Sequence, residues 1–147
     1  MDKKIAIGCD HAGFELKEKI KTLLNNLNYE IVDCGTNSSD AVDYPLIAKT
    51  LALSVKNKNT SRGILICGTG IGMAIAANKV QGVYAACCHD VNTARLSRSH
   101  NNSNVLTIGG RIISHELGEE IVKVWLETEF EGGRHQRRVQ EIKDLEK

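Results

Sequence analysis

Ile64-Leu65-Ile66-Cys67-Gly68-Thr69-Gly70-Ile71-Gly72 is an apolar run that ends in a thiol and then carries glycine at every second position. An Ala-rich stretch, Met73-Ala74-Ile75-Ala76-Ala77, follows directly. The order predicts a buried strand, a glycine turn and the start of a helix. Such a junction aims backbone N–H groups and the positive end of a helix dipole at one small volume. That volume suits an anion, or an oxyanion formed during a reaction. Cys67 borders it, and the same field favours thiolate over thiol. The junction reads as an active site.

Outward from this point, short apolar runs alternate with longer amphipathic ones. Ile5-Ala6-Ile7 predicts a first buried strand, ended by Gly8-Cys9-Asp10-His11. Residues 13–26 predict a helix, with Ile20, Leu23, Leu24 and Leu27 at helical spacing. Glu30-Ile31-Val32-Asp33 predicts a second strand, and Pro45 marks the first helical position of a helix carrying Ile47, Leu51 and Val55 on one stripe. Beyond the third strand and the helix over 71–78, Val83-Tyr84-Ala85-Ala86-Cys87 predicts strand four and 91–100 a helix. Val105-Leu106-Thr107-Ile108 predicts strand five, and Ser114 caps a helix bearing Leu117, Ile121, Val124 and Trp125.

Strands apolar throughout and separated by helices imply a parallel sheet covered on both faces. The expected fold is α/β: a Rossmann-like three-layer sandwich with a five-stranded parallel sheet, one domain over residues 1–147. Such folds bind ligands at the carboxyl ends of their strands. That rule places Asp10, His11, Cys67 to Gly72 and His89-Asp90 on one rim. An extra amphipathic helix follows Gly132-Gly133, with Val139, Ile142 and Leu145 three apart. The sheet is complete without it, so the 131–147 tail is expected to pack on a partner subunit. The alternative is a helix folded back on its own chain.

Composition removes several function classes. A formal net charge of +1 over 147 residues does not suit a general nucleic-acid binder, which needs excess positive charge. No apolar run reaches the roughly 18 residues that span a bilayer, and no signal-peptide pattern opens the chain. Five cysteines (Cys9, Cys34, Cys67, Cys87 and Cys88) form no paired Cys-x-x-Cys spacing, which points to a reducing, cytoplasmic setting. Cys34 and Cys87 read as strand-end or core packing, and Cys9 as pointing into the fold. Cys88 beside Cys87 makes no metal site without further ligands.

The glycine loop departs from the dinucleotide fingerprint, because Met73 holds its third glycine position and the loop follows the third strand instead of the first. Ala74 and Ile75 stand where a phosphate-loop lysine would be needed. A purely structural glycine turn is the simplest alternative, as capping is for Asp10-His11 and a solvated face for Arg134, Arg137 and Arg138. A thiol, two histidines, an aspartate, an anion-suited loop and an arginine group are together better explained by a phosphorylated polar substrate.

The motifs also carry a resemblance over essentially the whole chain. Gly8-Cys9-Asp10-His11, Asp43-Tyr44-Pro45, residues 64–79, Leu96-Ser97-Arg98-Ser99-His100-Asn101 and Glu131-Gly132-Gly133-Arg134-His135-Gln136-Arg137-Arg138-Val139 occur in that order. The sequence resembles the type B ribose-5-phosphate isomerases, in the family shared with galactose-6-phosphate isomerase subunits. The resemblance implies an aldose–ketose isomerase that interconverts ribose 5-phosphate and ribulose 5-phosphate through an enediolate, with no cofactor and no metal. It implies Cys67 as the base, Thr69 and the amides of Gly68, Gly70, Ile71 and Gly72 at the enediolate oxygens, and His100 opening the sugar ring. Asp10, Tyr44 and Asn101 would bind or orient sugar hydroxyls. His11, Arg134 and Arg138, helped by Arg111, would take the phosphate. It further implies a homodimer, or a tetramer of such dimers, with active sites between subunits.

Some relatives carry serine at the thiol position and an acidic residue a few positions on. Here that stretch is Met73-Ala74-Ile75, so Cys67 is the only evident base. Two other readings fit the same residues: a six-carbon sugar phosphate isomerase, and a non-catalytic nucleotide- or sugar-phosphate-binding module on the same sheet.

Overall fold

A computed structural model describes residues 2–146; Met1 and Lys147, the ends of the expected domain, lie outside the described residues. Its sheet has five strands: β1 (Lys4–Cys9), β2 (Glu30–Asp33), β3 (Arg62–Cys67), β4 (Ala85–Cys87) and β5 (Val105–Gly109). They lie in the order β2-β1-β3-β5-β4 with every pairing parallel. Successive side chains of a strand point to opposite faces, so a strand apolar at every position feeds two cores. Ile5, Ile7, Cys9, Ile64, Ile66, Leu106 and Ile108 belong to one buried cluster, and Ala6, Leu65, Cys67 and Val105 to the other.

Helices cover both clusters, giving the three layers expected. On the first face, α1 (Phe14–Asn26) contributes Leu16, Ile20 and Leu24, α4 (Val91–Ser99) Ala94, and α5 (His115–Glu127) Ile121, Val122 and Trp125. On the second, α2 (Tyr44–Lys56) contributes Ala48, Leu51 and Val55, and α3 (Ile71–Asn78) Met73 and Ala77. Pro45 sits in the first turn of α2, and the Ser114 hydroxyl accepts the Leu117 N–H at 3.1 Å to cap α5.

Two boundaries differ from expectation for local reasons. Asp10 draws the amides of Ala12 and Gly13 into a short 3-10 turn, so α1 starts at Phe14. Strand β4 starts at Ala85 instead of Val83, because the Tyr84 N–H donates to Asn104 Oδ1 at 2.8 Å. The last helix, α6 (Arg134–Asp144), buries His135 and Val139 against its own chain. Further along, Ile142 is 42% and Leu145 82% exposed, so the apolar stripe is only partly covered.

One buried charge fixes the loop that leads into α2. Lys17 on α1 is fully buried, and its ammonium donates to both Asp33 carboxylate oxygens at 2.8 Å and to the Thr36 carbonyl. Lys21 also reaches Asp33, at 2.9 Å. Burial alone would raise the Asp33 pKa, but hydrogen bonds from Lys17, Lys21 and the Gly35 N–H outweigh it and hold the carboxyl below its ordinary 3.8. A carboxylate with a depressed folded-state pKa stabilises the fold above that ordinary value, and the contribution is lost as pH falls through the folded pKa. Asp33→Asn should lower unfolding stability at pH 7 by on the order of 3 kcal/mol in urea titrations, because it leaves a buried ammonium without its counter-charge. The variant should also lose this part of the acid dependence below pH 3.8; a variant as stable as the parent would contradict the assignment.

Candidate active site

In the strand order, the chain leaves β1 toward one edge through β2 and returns to the other side at β3. Crevices form where loops diverge in this way. The loops after β1 and β3 therefore flank one crevice, and both carry polar residues singled out from the sequence. The register holds them together: Cys9 of β1 lies beside Ile66, and Cys67 beside Gly109 of β5.

Cys67 is the last residue of β3, and only 5% of its surface is exposed. Its sulfur accepts the Gly70 N–H at 3.1 Å. Gly70 makes this possible with φ +81, and a Cβ there would lie 2.9 Å from the Ile108 carbonyl carbon, so the turn demands glycine. Thr69 Oγ1 accepts the Ile71 N–H at 3.2 Å. Among the described residues the amides of Gly68 and Gly72 donate to no protein acceptor, which leaves them available at the head of α3. The Gly70 amide, expected at a substrate oxygen, is aimed at the Cys67 sulfur here.

The surrounding residues close in on this loop. A Cβ on Gly72 would fall 2.6 Å from the Tyr44 ring, so glycine is what lets Tyr44 lie against the turn. The Arg111 side chain passes over Gly68, and the Arg111 backbone N–H donates to the Gly68 carbonyl at 3.1 Å. His11 accepts the Val42 N–H on Nδ1 at 3.4 Å, which ties the 34–43 loop to the rim. A cleft of about 410 Å³ is lined by His11, Ala12, Ser39, Gly110, Arg111 and His115. Asp10, 7% exposed, spends one oxygen on the Ala12 and Gly13 amides.

The loop after β4 adds a residue for which no role was expected. His89 Nε2 lies 2.9 Å from the Thr69 carbonyl and pins the glycine turn from the far side. Asp90 caps α4 by accepting the Thr93 N–H. Their place at the end of a strand on the same rim was the available signal. Cys87 ends β4 but is exposed, so it is not a core residue, with its sulfur 3.7 Å from the Thr69 carbonyl. Cys9 and Cys88 are buried, and burial pushes the Cys9 thiol up to about 11.

The remaining expected residues lie elsewhere. Helix α4 runs back from the rim, and His100 stands at its C-terminal end, just before the turn that enters β5 at Val105. The length of β5, five residues, therefore separates His100 from the level of Cys67, about 13–17 Å at ~3.3 Å per residue. The His100 and His135 rings stack there with centroids 4.1 Å apart, and Glu131 lies 3.8 Å from His135. Burial, then the charges of His100 and Arg134, push the His135 pKa down. Arg134 and Arg138 project from the exposed side of α6 at the same end. One chain thus assembles Asp10, His11, Tyr44, Cys67 to Gly72 and Arg111, and holds His100, Asn101, Arg134 and Arg138 apart from them.

Among the described residues, one group has the donor set for a metal ion: His100, Glu131 and His135, with ligand atoms within 4.8 Å of one another. The two rings are nearly parallel, at 13°. An ion lying in the plane of both would require one ring to turn, so the arrangement is that of a stacked pair. No helix of the described residues is long and apolar enough to cross a membrane.

Comparison with known proteins meets this geometry. The profile of the ribose/galactose isomerase family matches residues 5–142. The chain is 49% identical to ribose-5-phosphate isomerase B of Escherichia coli over 98% of its own length and 97% of that protein. It is 44% identical to D-erythrulose-4-phosphate isomerase of Pectobacterium atrosepticum, over 94% and 91%. The solved ribose-5-phosphate isomerase B of Clostridium thermocellum superposes with a TM-score of 0.96 at 47% identity, over 97% of both chains. With its fold and a full-length match to this group, the chain is an isomerase of the ribose/galactose isomerase family, in its type B ribose-5-phosphate isomerase branch.

Proposed function

We propose that this enzyme interconverts ribose 5-phosphate and ribulose 5-phosphate by proton transfer through an enediolate, with Cys67 as the base and without a metal. The observation that carries the reading is the Cys67 sulfur held by the Gly70 amide at 3.1 Å, beside the unengaged amides of Gly68 and Gly72. Moving a proton next to a carbonyl needs a base at that carbon and donors at the oxygen that gains charge. Both lie within one turn of chain here.

In the proposed reaction, His100 opens the furanose ring and the Cys67 thiolate takes the proton from carbon 2 of the aldehyde form. The electron pair forms a double bond between carbons 1 and 2, and the carbonyl oxygen becomes the oxyanion held by Thr69 and the loop amides. Transfer of the carbon 2 hydroxyl proton to the carbon 1 oxygen, with return of the abstracted proton from Cys67 to carbon 1, gives the ketone. A single well-aimed oxyanion donor is worth about 2.7–4 kcal/mol, roughly 100- to 1,000-fold in rate. Asp10, Tyr44 and Asn101 orient the hydroxyls, and His11, Arg111, Arg134 and Arg138 hold the phosphate. Binding of that non-reacting group positions the carbons for transfer.

The same reading makes the working enzyme a homodimer, or a tetramer of dimers, with each site shared. Support comes from the separation of His100, Asn101, Arg134 and Arg138 from Cys67 within one chain. Ile71 and Ile75 on α3, 54% and 59% exposed, offer apolar surface next to the glycine turn, and the uncovered end of α6 offers more. A reducing cytoplasm fits five free thiols.

A different sugar phosphate on the same chemistry has one specific observation in its favour: the 44%-identical relative named for erythrulose 4-phosphate. Turnover of ribose 5-phosphate, allose 6-phosphate and erythrulose 4-phosphate, each with excess chelator, should show the pentose preferred and the chelator without effect. Preference for another sugar would change the substrate, and loss of activity with chelator would remove the metal-free step. Cys67→Ala should lower pentose turnover by roughly 100- to 10,000-fold while the urea midpoint is unchanged; near-normal turnover would overturn the assignment of the base.

A further inference from the structure

At the amino-terminal edge of the sheet, far from Cys67, lies a cleft of about 580 Å³ that no step of the isomerisation uses. Five cationic side chains line it: Lys56, Lys58, Arg62, Arg98 and Lys143. Among the described residues none of the five forms an ion pair. Among the described residues two carboxylates, Asp2 and Glu146, also face the cleft, so five positive charges there meet two negative ones, an excess of three. Both are already engaged: Asp2 accepts the Lys4 N–H at 3.0 Å, and Glu146 accepts the Gly82 N–H at 3.2 Å and bonds Tyr84.

Arg98 is the most telling of the five. It is 6% exposed, and its Nε and Nη1 donate to the Thr128 carbonyl, Asn102 Oδ1 and the Ser103 carbonyl. Its Nη2 donates to nothing among the described residues. Nearby, Arg62 donates to the Trp125 and Leu126 carbonyls and stacks on the Trp125 ring. Burial, reinforced by the like charge of Arg62, pulls the Arg98 pKa down to about 10, so the group is still charged at neutral pH. Arg98 is buried, repelled by Arg62 and bonded only to neutral acceptors, a costly arrangement that a bound anion would relieve, while half-buried Arg62 has the opposing charge of Glu129 near it.

We infer that this cleft is a binding site for a small molecule bearing a diphosphate group, separate from the isomerase site. The excess of three positive charges suits a diphosphate, and the volume lies in the range of small-ligand pockets, about 300–1,000 Å³. Arg98 supplies the fixed, directed donor, and the three lysines supply flexible charge at the mouth. The site stands two residues ahead of His100 in the chain.

Calorimetric titration with inorganic pyrophosphate tests the inference on the parent protein and three variants of it. Arg134→Ala/Arg138→Ala removes cations assigned to the substrate phosphate. Lys56→Gln/Lys143→Gln removes two from the cleft, and Lys19→Gln/Lys123→Gln removes two exposed lysines elsewhere as a charge control. Pyrophosphate binding should persist in the first and third and weaken at least ten-fold in the second, which should keep its isomerase activity. Binding that survives in the cleft variant, falls equally in the charge control, disappears with Arg134 and Arg138, or is absent from the parent protein overturns the inference.

Discussion

The candidate site depends on one constraint: the chain must turn from β3 into α3 within three residues, against the backbone of β5. Only a residue without Cβ can take the left-handed conformation at position 70 with Ile108 that close. Once that turn is made, the Gly70 amide meets the Cys67 sulfur, the Ile71 amide meets Thr69 Oγ1, and the Gly72 amide is left unengaged at the head of a helix. Thr107 secures the turn from β5, its hydroxyl donating to the Gly70 carbonyl at 2.8 Å, and His89 secures it from β4. The thiol and its donors are thus set by backbone geometry, before any substrate contact.

The order of elements was legible because apolar runs of strand length alternate with amphipathic runs of helical period, and the glycine turn was legible because its spacing is unusual. Ser114 read correctly as a cap, and capping, the simpler alternative for Asp10, accounts for the one oxygen that takes the Ala12 and Gly13 amides. Less was legible at the edges. The Asn104 side chain that takes the Tyr84 N–H is twenty residues away in sequence, so the late start of β4 leaves no local mark. Cys87 looked like a packing residue because cysteine so often is, yet the edge strand leaves it exposed. The hold of His89 on Thr69 required the β4 loop to be laid beside the β3 loop, which only the sheet order reveals.

The division of the expected site also follows from the fold. A crossover helix between parallel strands must run antiparallel to them, so the two ends of α4 lie at opposite edges of the sheet. Asp90, at the start of α4, is on the catalytic rim, and His100, at its end, cannot be. The stacked His100 and His135 and the arginines of α6 form a second polar surface, coherent in itself and incomplete as a sugar phosphate site. Under the proposed function, a partner copy bringing this surface to the rim would supply what each chain lacks, and a two-fold axis would complete two sites at once.

Subunit complementation tests that account most directly. Cys67→Ala protein and protein carrying both His100→Ala and Arg138→Ala would be unfolded together, refolded as a mixture, and assayed against each variant refolded alone. If the site is shared, mixed dimers carry one intact site, and activity should return to roughly a quarter of the parent level under random pairing of two-fold dimers. A mixture no more active than its separate components would mean that Cys67 and His100 must act from the same chain, and the shared-site mechanism would fail.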